Sequence, residues 1–88
     1  MAERTVRVVN RNGVHARPAA EIVKCSARFA SEITLSRDDL EVNGKSIMGV
    51  MMLAAEHGST IVIRASGEDS EAAIEALQGL VMNGFGEE

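Results

Sequence analysis

The apolar residues of this chain switch repeatedly between a period of two and a period near 3.6, all within 88 residues. A chain of that length can bury roughly 60–65% of its unfolded surface, enough for one modest core. Residues 1–88 are therefore expected to form a single domain in which strands and helices share one interface. Val6 and Val8 face the same way within Thr5–Val9, which predicts a strand with one buried face. Asn10 to Gly13 reads as a turn. Ala19, Ile22, Val23, Ala27 and Ala30 then follow helical spacing and predict a helix from Ala16 to Phe29.

Ile33 and Leu35 alternate with Glu32, Thr34 and Ser36, and predict a second strand. Arg37-Asp38-Asp39 turns the chain into a short third strand marked by Leu40 and Val42, so the two strands form a hairpin. After Asn43-Gly44, Ser46 caps a short helix from Ile47 to Leu53. Glu56-His57-Gly58-Ser59 is a further turn, and the β-branched run Thr60–Ser66 is a strand. Gly67-Glu68-Asp69-Ser70 breaks that strand and caps a last helix, which Asn83-Gly84 closes. Ala73, Ile74, Leu77, Leu80 and Val81 line one face of it. The order β-α-β-β-α-β-α predicts an α+β fold, with helices on one face of a four-stranded sheet.

Composition removes several function classes. Tryptophan and tyrosine are absent and the net charge is −4, so base stacking rests on Phe29 and Phe85 alone and nucleic acid is not an expected partner. No run approaches the length of a membrane span, and Met1-Ala2-Glu3-Arg4-Thr5 is no secretory signal. A cytoplasmic protein without membrane insertion is expected. Cys25 is alone, which fits a reducing compartment and a structural role. His15, His57 and Cys25 show no ligand spacing, so neither a metal site nor a cofactor is expected. The charge is uneven. Residues 1–45 hold eight basic and six acidic side chains, whereas residues 46–88 hold Arg64 against seven acids. A basic half suits an anionic ligand and acidic partner surfaces.

Chemistry concentrates in Asn12-Gly13-Val14-His15-Ala16-Arg17-Pro18-Ala19-Ala20. A histidine before a helix is most often a solvated cap, but this run holds more. Gly13 permits a tight turn, and Pro18 tolerates the first helical turn, so the helix begins at Ala16 or at Pro18. Amides at a helix start lack intrahelical partners and face the positive end of the dipole, which suits an anion, phosphate above all. The donors are the N–H groups of Ala16 and Arg17. A cation is mildly unfavourable at that end, so Arg17 reads as a ligand whose planar fork meets phosphate oxygens. Histidine titrates near neutrality, and its ring nitrogen can carry a phosphoryl group through a labile P–N bond. His15 and Arg17 are thus the catalytic candidates.

Gly13-Val14-His15-Ala16-Arg17-Pro18 resembles the active-site signature of HPr, the histidine-containing phosphocarriers of the bacterial phosphoenolpyruvate:sugar phosphotransferase system. Asn43-Gly44-Lys45-Ser46-Ile47-Met48-Gly49-Val50-Met51 resembles that family's second signature, and length and element order agree over the whole chain. Val14 stands where many members have Leu. The resemblance implies an open-faced β-sandwich with a largely antiparallel sheet, and a phosphoryl group carried on Nδ1 of His15. It implies phosphorylated enzyme I as donor and sugar-specific enzyme IIA domains as acceptors, with the chain working as a monomer. A nitrogen-related paralogue of the same chemistry and a purely regulatory binding module are the alternatives.

The short helix carries the rest of the functional reading. Ile47, Met48, Val50, Met51, Met52 and Leu53 are apolar nearly all round, so one face meets the sheet and the remainder is left exposed. Val50 and Leu53 are assigned to the core. The resemblance implies partner contact for Ile47, Met48 and Met51, with Lys45 beside them, and adaptable methionines suit several partners. It also makes Ser46 a regulatory phosphorylation site, served by an HPr kinase/phosphorylase. Phosphate at a helix start leaves the fold intact while repelling acidic partners.

Overall fold

The computed structural model describes residues 1–87. The elements are β1 (Ala2–Arg7), α1 (Ala16–Ala27), β2 (Glu32–Arg37), β3 (Leu40–Asn43), α2 (Ile47–Met52), β4 (Thr60–Ser66) and α3 (Ser70–Met82), followed by a short 3₁₀ turn, Gly84–Gly86. The strands form one sheet in the order β1-β4-β2-β3, antiparallel throughout. The central strand β4 is the β-branched run of the sequence, and its Ile61, Ile63 and Ala65 turn into the core beside Val6, Val8, Ile33 and Leu35. Ala19 and Ile22 of α1, Val50 of α2, and Ala73, Ile74, Leu77 and Val81 of α3 close over them, while Leu80 is only partly buried. The opposite sheet face is mostly polar, with Thr5, Thr34, Ser36 and Arg64 around a half-buried Val62. There Arg64 of β4 bridges Glu3 of β1 and Glu41 of β3, across the whole sheet, at 2.7 and 3.1 Å.

The first strand starts three residues earlier and ends two residues earlier than its alternation suggests. Register explains this: β4 offers partners from Thr60 to Ala65, and they pair with Arg7 back to Ala2. Val8 is still held, donating to the Ser59 carbonyl and accepting from the Gly58 amide, both at 2.8 Å, but these belong to a turn. The hairpin between β2 and β3 closes with Asp38 at φ 55. Asp adopts that left-handed conformation more readily than most residues.

Asp69 is used differently from the capping role expected of its segment. Asp69 occupies the N-cap position of α3 but makes no capping bond. Its carboxylate reaches the turn after α1, accepting from the amides of Ala30 (2.8 Å) and Ser31 (2.9 Å) and from the Ser31 hydroxyl. Those bonds, the Ser31 hydroxyl foremost and the Ala30 amide next, hold the Asp69 carboxyl below its ordinary range against partial desolvation. That cluster also stops α1 at Ala27 rather than Phe29. Arg28 and Phe29 donate back to Cys25 and Ser26 in a tightened last turn.

Along α1, Ser26 rather than Ala27 completes the buried face. Ala19, Ile22 and Ser26 are spaced three and four apart, and Ala27 and Ala30 are exposed. The Ser26 hydroxyl is fully buried and has no hydrogen-bond partner among the described residues. It lies against Gly44, where a Cβ would come within 3.3 Å of it and 2.7 Å from Ile33 Cγ2. A buried hydroxyl without a partner costs roughly 1–3 kcal/mol. Ser26→Ala is therefore expected to raise the unfolding free energy by about 1 kcal/mol. Urea denaturation checks this, and a lower midpoint would show that the hydroxyl is satisfied.

Candidate functional site

The loop ahead of α1 is fixed before any side chain of the site is considered. Gly13 adopts φ +68, and a Cβ there would lie 2.4 Å from the Ala55 carbonyl oxygen. Only glycine permits that approach. Val14 then donates its amide to the same Ala55 carbonyl at 2.8 Å. From within the loop the buried Asn10 donates Nδ2 to the Gly13 carbonyl at 2.7 Å. The chain thus arrives at His15 on a rigid path.

His15 takes the N-cap position with extended backbone, and its carbonyl accepts the first helical bond from Ala19. The helix therefore starts at Ala16, and Pro18 sits in its first turn, where its missing N–H leaves nothing unpaired. The imidazole makes no capping bond, and its side chain is 42% exposed. The amides of Ala16 and Arg17 donate to no acceptor among the described residues. His15 thus stands at the start of α1, directly before two amides that have no acceptor among the described residues.

The carboxy-terminal segment completes the arrangement. Phe85 is buried at φ 59 and turns the chain so that Glu87 comes back over α1. The Glu87 carboxylate meets Asn10 Nδ2 at 2.9 Å and His15 Nε2 at 3.0 and 3.2 Å. Arg17 Nε lies 3.3 Å from the same carboxylate, and Arg17 Nη2 donates to the Phe85 carbonyl at 3.1 Å. Burial pushes the Glu87 carboxyl upward, but the bonds from Asn10 and His15 and the charges of His15 and Arg17 outweigh it and leave it below its ordinary range. An ionised carboxylate only accepts, so Nε2 carries hydrogen, and whenever the ring is neutral its lone pair lies on Nδ1.

Asn10 and Glu87 escape a reading of the sequence. Asn10 looks like one more turn residue, and Glu87 is one acid among seven in its half of the chain. Only the fold of Phe85 into the core selects it.

The second predicted surface lies on α2. Ser46 Oγ accepts from the Gly49 amide at 3.1 Å, as a cap should. Val50 and Leu53 are buried, and Ile47, Met48, Met51 and Met52 are exposed. Arg37 Nη1 donates to the carbonyls of Leu53 (2.6 Å) and Ala54 (3.1 Å), which holds the end of the helix next to the His15 loop. Ser46 and Lys45 stand at the other end of α2. Lys45 is partly committed to structure, its Nζ donating to the Phe29 carbonyl at 2.7 Å just beyond α1. Cys25 is half-buried in α1. Burial raises its thiol pKa, with the Arg28 charge opposing. No helix is long and apolar enough to cross a membrane among the described residues.

Known proteins resemble this chain along its whole length. The family described as PTS HPr component phosphorylation site matches residues 2–83. The phosphocarrier protein HPr of Treponema pallidum is 53% identical over 88 residues, covering all of both chains. The crystal structure of an HPr from Thermoanaerobacter tengcongensis superposes with a TM-score of 0.96 at 44% identity, covering 100% of this chain and 99% of that one. Crh of Bacillus subtilis, a catabolite repression protein described as a swapped dimer, matches with a TM-score of 0.76 at 41% identity, covering 94% and 95%.

The geometry makes Glu87 a built-in competitor for any anion at Arg17. Glu87→Gln is expected to bind inorganic phosphate several-fold more tightly than the parent, read from the amide resonances of Ala16 and Arg17. Equal affinity would mean that the carboxylate does not occupy the anion site. Because folding lowers the Glu87 pKa, the tail contact is complete above the ordinary value of about 4.3 and is lost as pH falls through the folded value beneath it. The Asn10 side-chain amide resonance should report that release.

Proposed function

The chain belongs to the HPr family of the phosphotransferase system, and we propose that it carries a phosphoryl group on His15 from phosphorylated enzyme I to sugar-specific enzyme IIA domains. The observation that carries this reading is the half-exposed His15 ring beside two free amides at the start of α1, with Nε2 engaged by Glu87. The lone pair on Nδ1 attacks the donor's phosphorus. A P–N bond forms at His15 as the bond to the donor breaks, and the Ala16 and Arg17 amides receive charge on the equatorial oxygens. Glu87 accepts from Nε2–H throughout, so the ring becomes a phosphoimidazolium with its second nitrogen neutralised. That cation is a good leaving group for onward transfer.

Arg17 rests on the Glu87 carboxylate and the Phe85 carbonyl. In this reading the phosphoryl group, with its greater charge, competes for the guanidinium and draws it over. Ile47, Met48 and Met51, flanked by Lys45, meet both partners, and their flexibility lets one surface serve two shapes. Phosphorylation of Ser46 by a kinase would place negative charge at the edge of that surface and turn docking off. The site is complete within one chain, which supports a monomeric, single-domain carrier over residues 1–88. A lone, half-buried cysteine fits work in the reducing cytoplasm.

Incubation with enzyme I and phosphoenolpyruvate should yield one acid-labile phosphoryl group, on His15, and none in His15→Ala. An unmodified wild-type chain would sink the proposal. Arg17→Lys should fold normally and slow transfer about tenfold or more, because an ammonium cannot copy the planar fork. Unchanged single-turnover rates would remove Arg17 from the mechanism.

Ser46→Asp should keep its melting temperature within a few degrees and weaken enzyme I binding. Calorimetric titration with equal affinities would dismiss the off-switch.

A further inference from the structure

The surface assigned above to partner docking is also where this chain concentrates oxidisable sulfur, and we propose that the α2 methionines form a reversible oxidation switch on docking. Met48, Met51 and Met52 are 71%, 46% and 64% exposed. The two remaining methionines, Met1 and Met82, are exposed outside α2. The one thiol, Cys25, is half-buried in α1 and disfavoured as thiolate, so its reaction with an oxidant is slowed and it lies off the docking face. The thioethers of α2 are the first reactive sulfur that a hydroperoxide meets at the docking face.

The chemistry is a two-electron oxygen transfer. The thioether sulfur attacks one oxygen of hydrogen peroxide, the O–O bond breaks, and an S–O bond forms. Sulfur is oxidised to the sulfoxide, and the second oxygen leaves as water after taking up the proton. A sulfoxide reductase using two electrons from a dithiol reverses it, releasing water. Each event replaces an apolar group by a polar S=O, which cannot enter a desolvated contact without losing its hydrogen bonds to water.

The fold is insulated from this change. Helix α2 is anchored by buried Val50 and Leu53 and by Arg37 on its last carbonyls, and no sulfur takes part. His15, Arg17 and Glu87 lie on other elements. Oxidation therefore separates docking from both folding and the phosphoryl site. The switch rests on the reading of α2 as the partner surface.

The test treats the whole chain with hydrogen peroxide, maps sulfoxides by mass spectrometry, and measures enzyme I affinity and thermal unfolding beside the untreated chain. Met48, Met51 and Met52 should carry sulfoxides. Affinity should fall about tenfold, as for loss of one good apolar anchor, with unfolding nearly unchanged. Sulfoxide reductases with a dithiol should restore it. The variant M48L/M51L/M52L, whatever its starting affinity, should show no further loss on treatment, and M1L/M82L should keep the full response. Unchanged affinity of the oxidised chain, a persistent response in the triple variant, or loss of affinity that tracks unfolding would each overturn the switch and leave the phosphocarrier reading standing. An untreated chain that neither binds enzyme I nor accepts phosphoryl would overturn that reading, and the switch with it.

Discussion

The site depends on one close approach between two loops. Val14 donates its amide to the Ala55 carbonyl at 2.8 Å, and Gly13 beside it leaves no space for a Cβ. This backbone contact fastens the segment before α1 to the segment after α2. Arg37 grips the same stretch through the Leu53 and Ala54 carbonyls, and there Ala54 is held at φ 49, a conformation that disfavours a side chain by about 1 kcal/mol or more. The relative placement of the His15 ring and the apolar helix is thus set by main-chain groups. Side chains on either surface can exchange partners without altering the distance between them.

Within that frame the proposed phosphoryl site is assembled from weak, replaceable parts. Two free amides, one guanidinium and one ring are all it offers an anion, and the guanidinium is already occupied by Glu87 and Phe85. A tighter cradle would deepen the phosphorylated state and slow its discharge, since only interactions stronger in the transition state than in the ground state speed transfer. The Glu87 carboxylate serves that balance twice. It neutralises Arg17 when no phosphoryl group is present, and it holds hydrogen on Nε2, so the nucleophilic lone pair lies on the other nitrogen.

Elements whose identity rests on local pattern were legible in the sequence. Thr60–Ser66 matches residue for residue, and Ser46 caps its helix through the expected hydroxyl. His15 at the start of α1 was readable because glycine, histidine and proline each act on the backbone within a few residues. What local pattern could not supply was decided by distant partners. The span of β1 follows from the pairing capacity of β4. The phase of α1 follows from packing against Gly44, which admits Ser26 and leaves Ala27 in water. Asp69 reads as a cap, yet it finds three donors on a turn some forty residues earlier in the chain. Glu87 was illegible for the same reason: its role exists only once Phe85 has entered the core.

The two surfaces divide the physical work between rigidity and adaptability. Around His15 the approach of the chain is pinned by Gly13 and Val14 against Ala55, which suits phosphoryl transfer because it rewards position and is lost with small displacements. On α2 only the inward side is pinned, by Val50 and Leu53, while the outward methionines keep their rotamer freedom. A carrier that serves more than one partner has need of both properties in one small chain, and a sheet with helices on a single face provides them. The sheet fixes the helix axes, and the helix starts and outer faces remain available. The open sheet face, tied by Arg64 to Glu3 and Glu41, takes no part in this division and is free to be polar. The proposed function thereby falls on the start of α1, the outer face of α2 and the returning Glu87, where a mutation can change side chains without reaching the core.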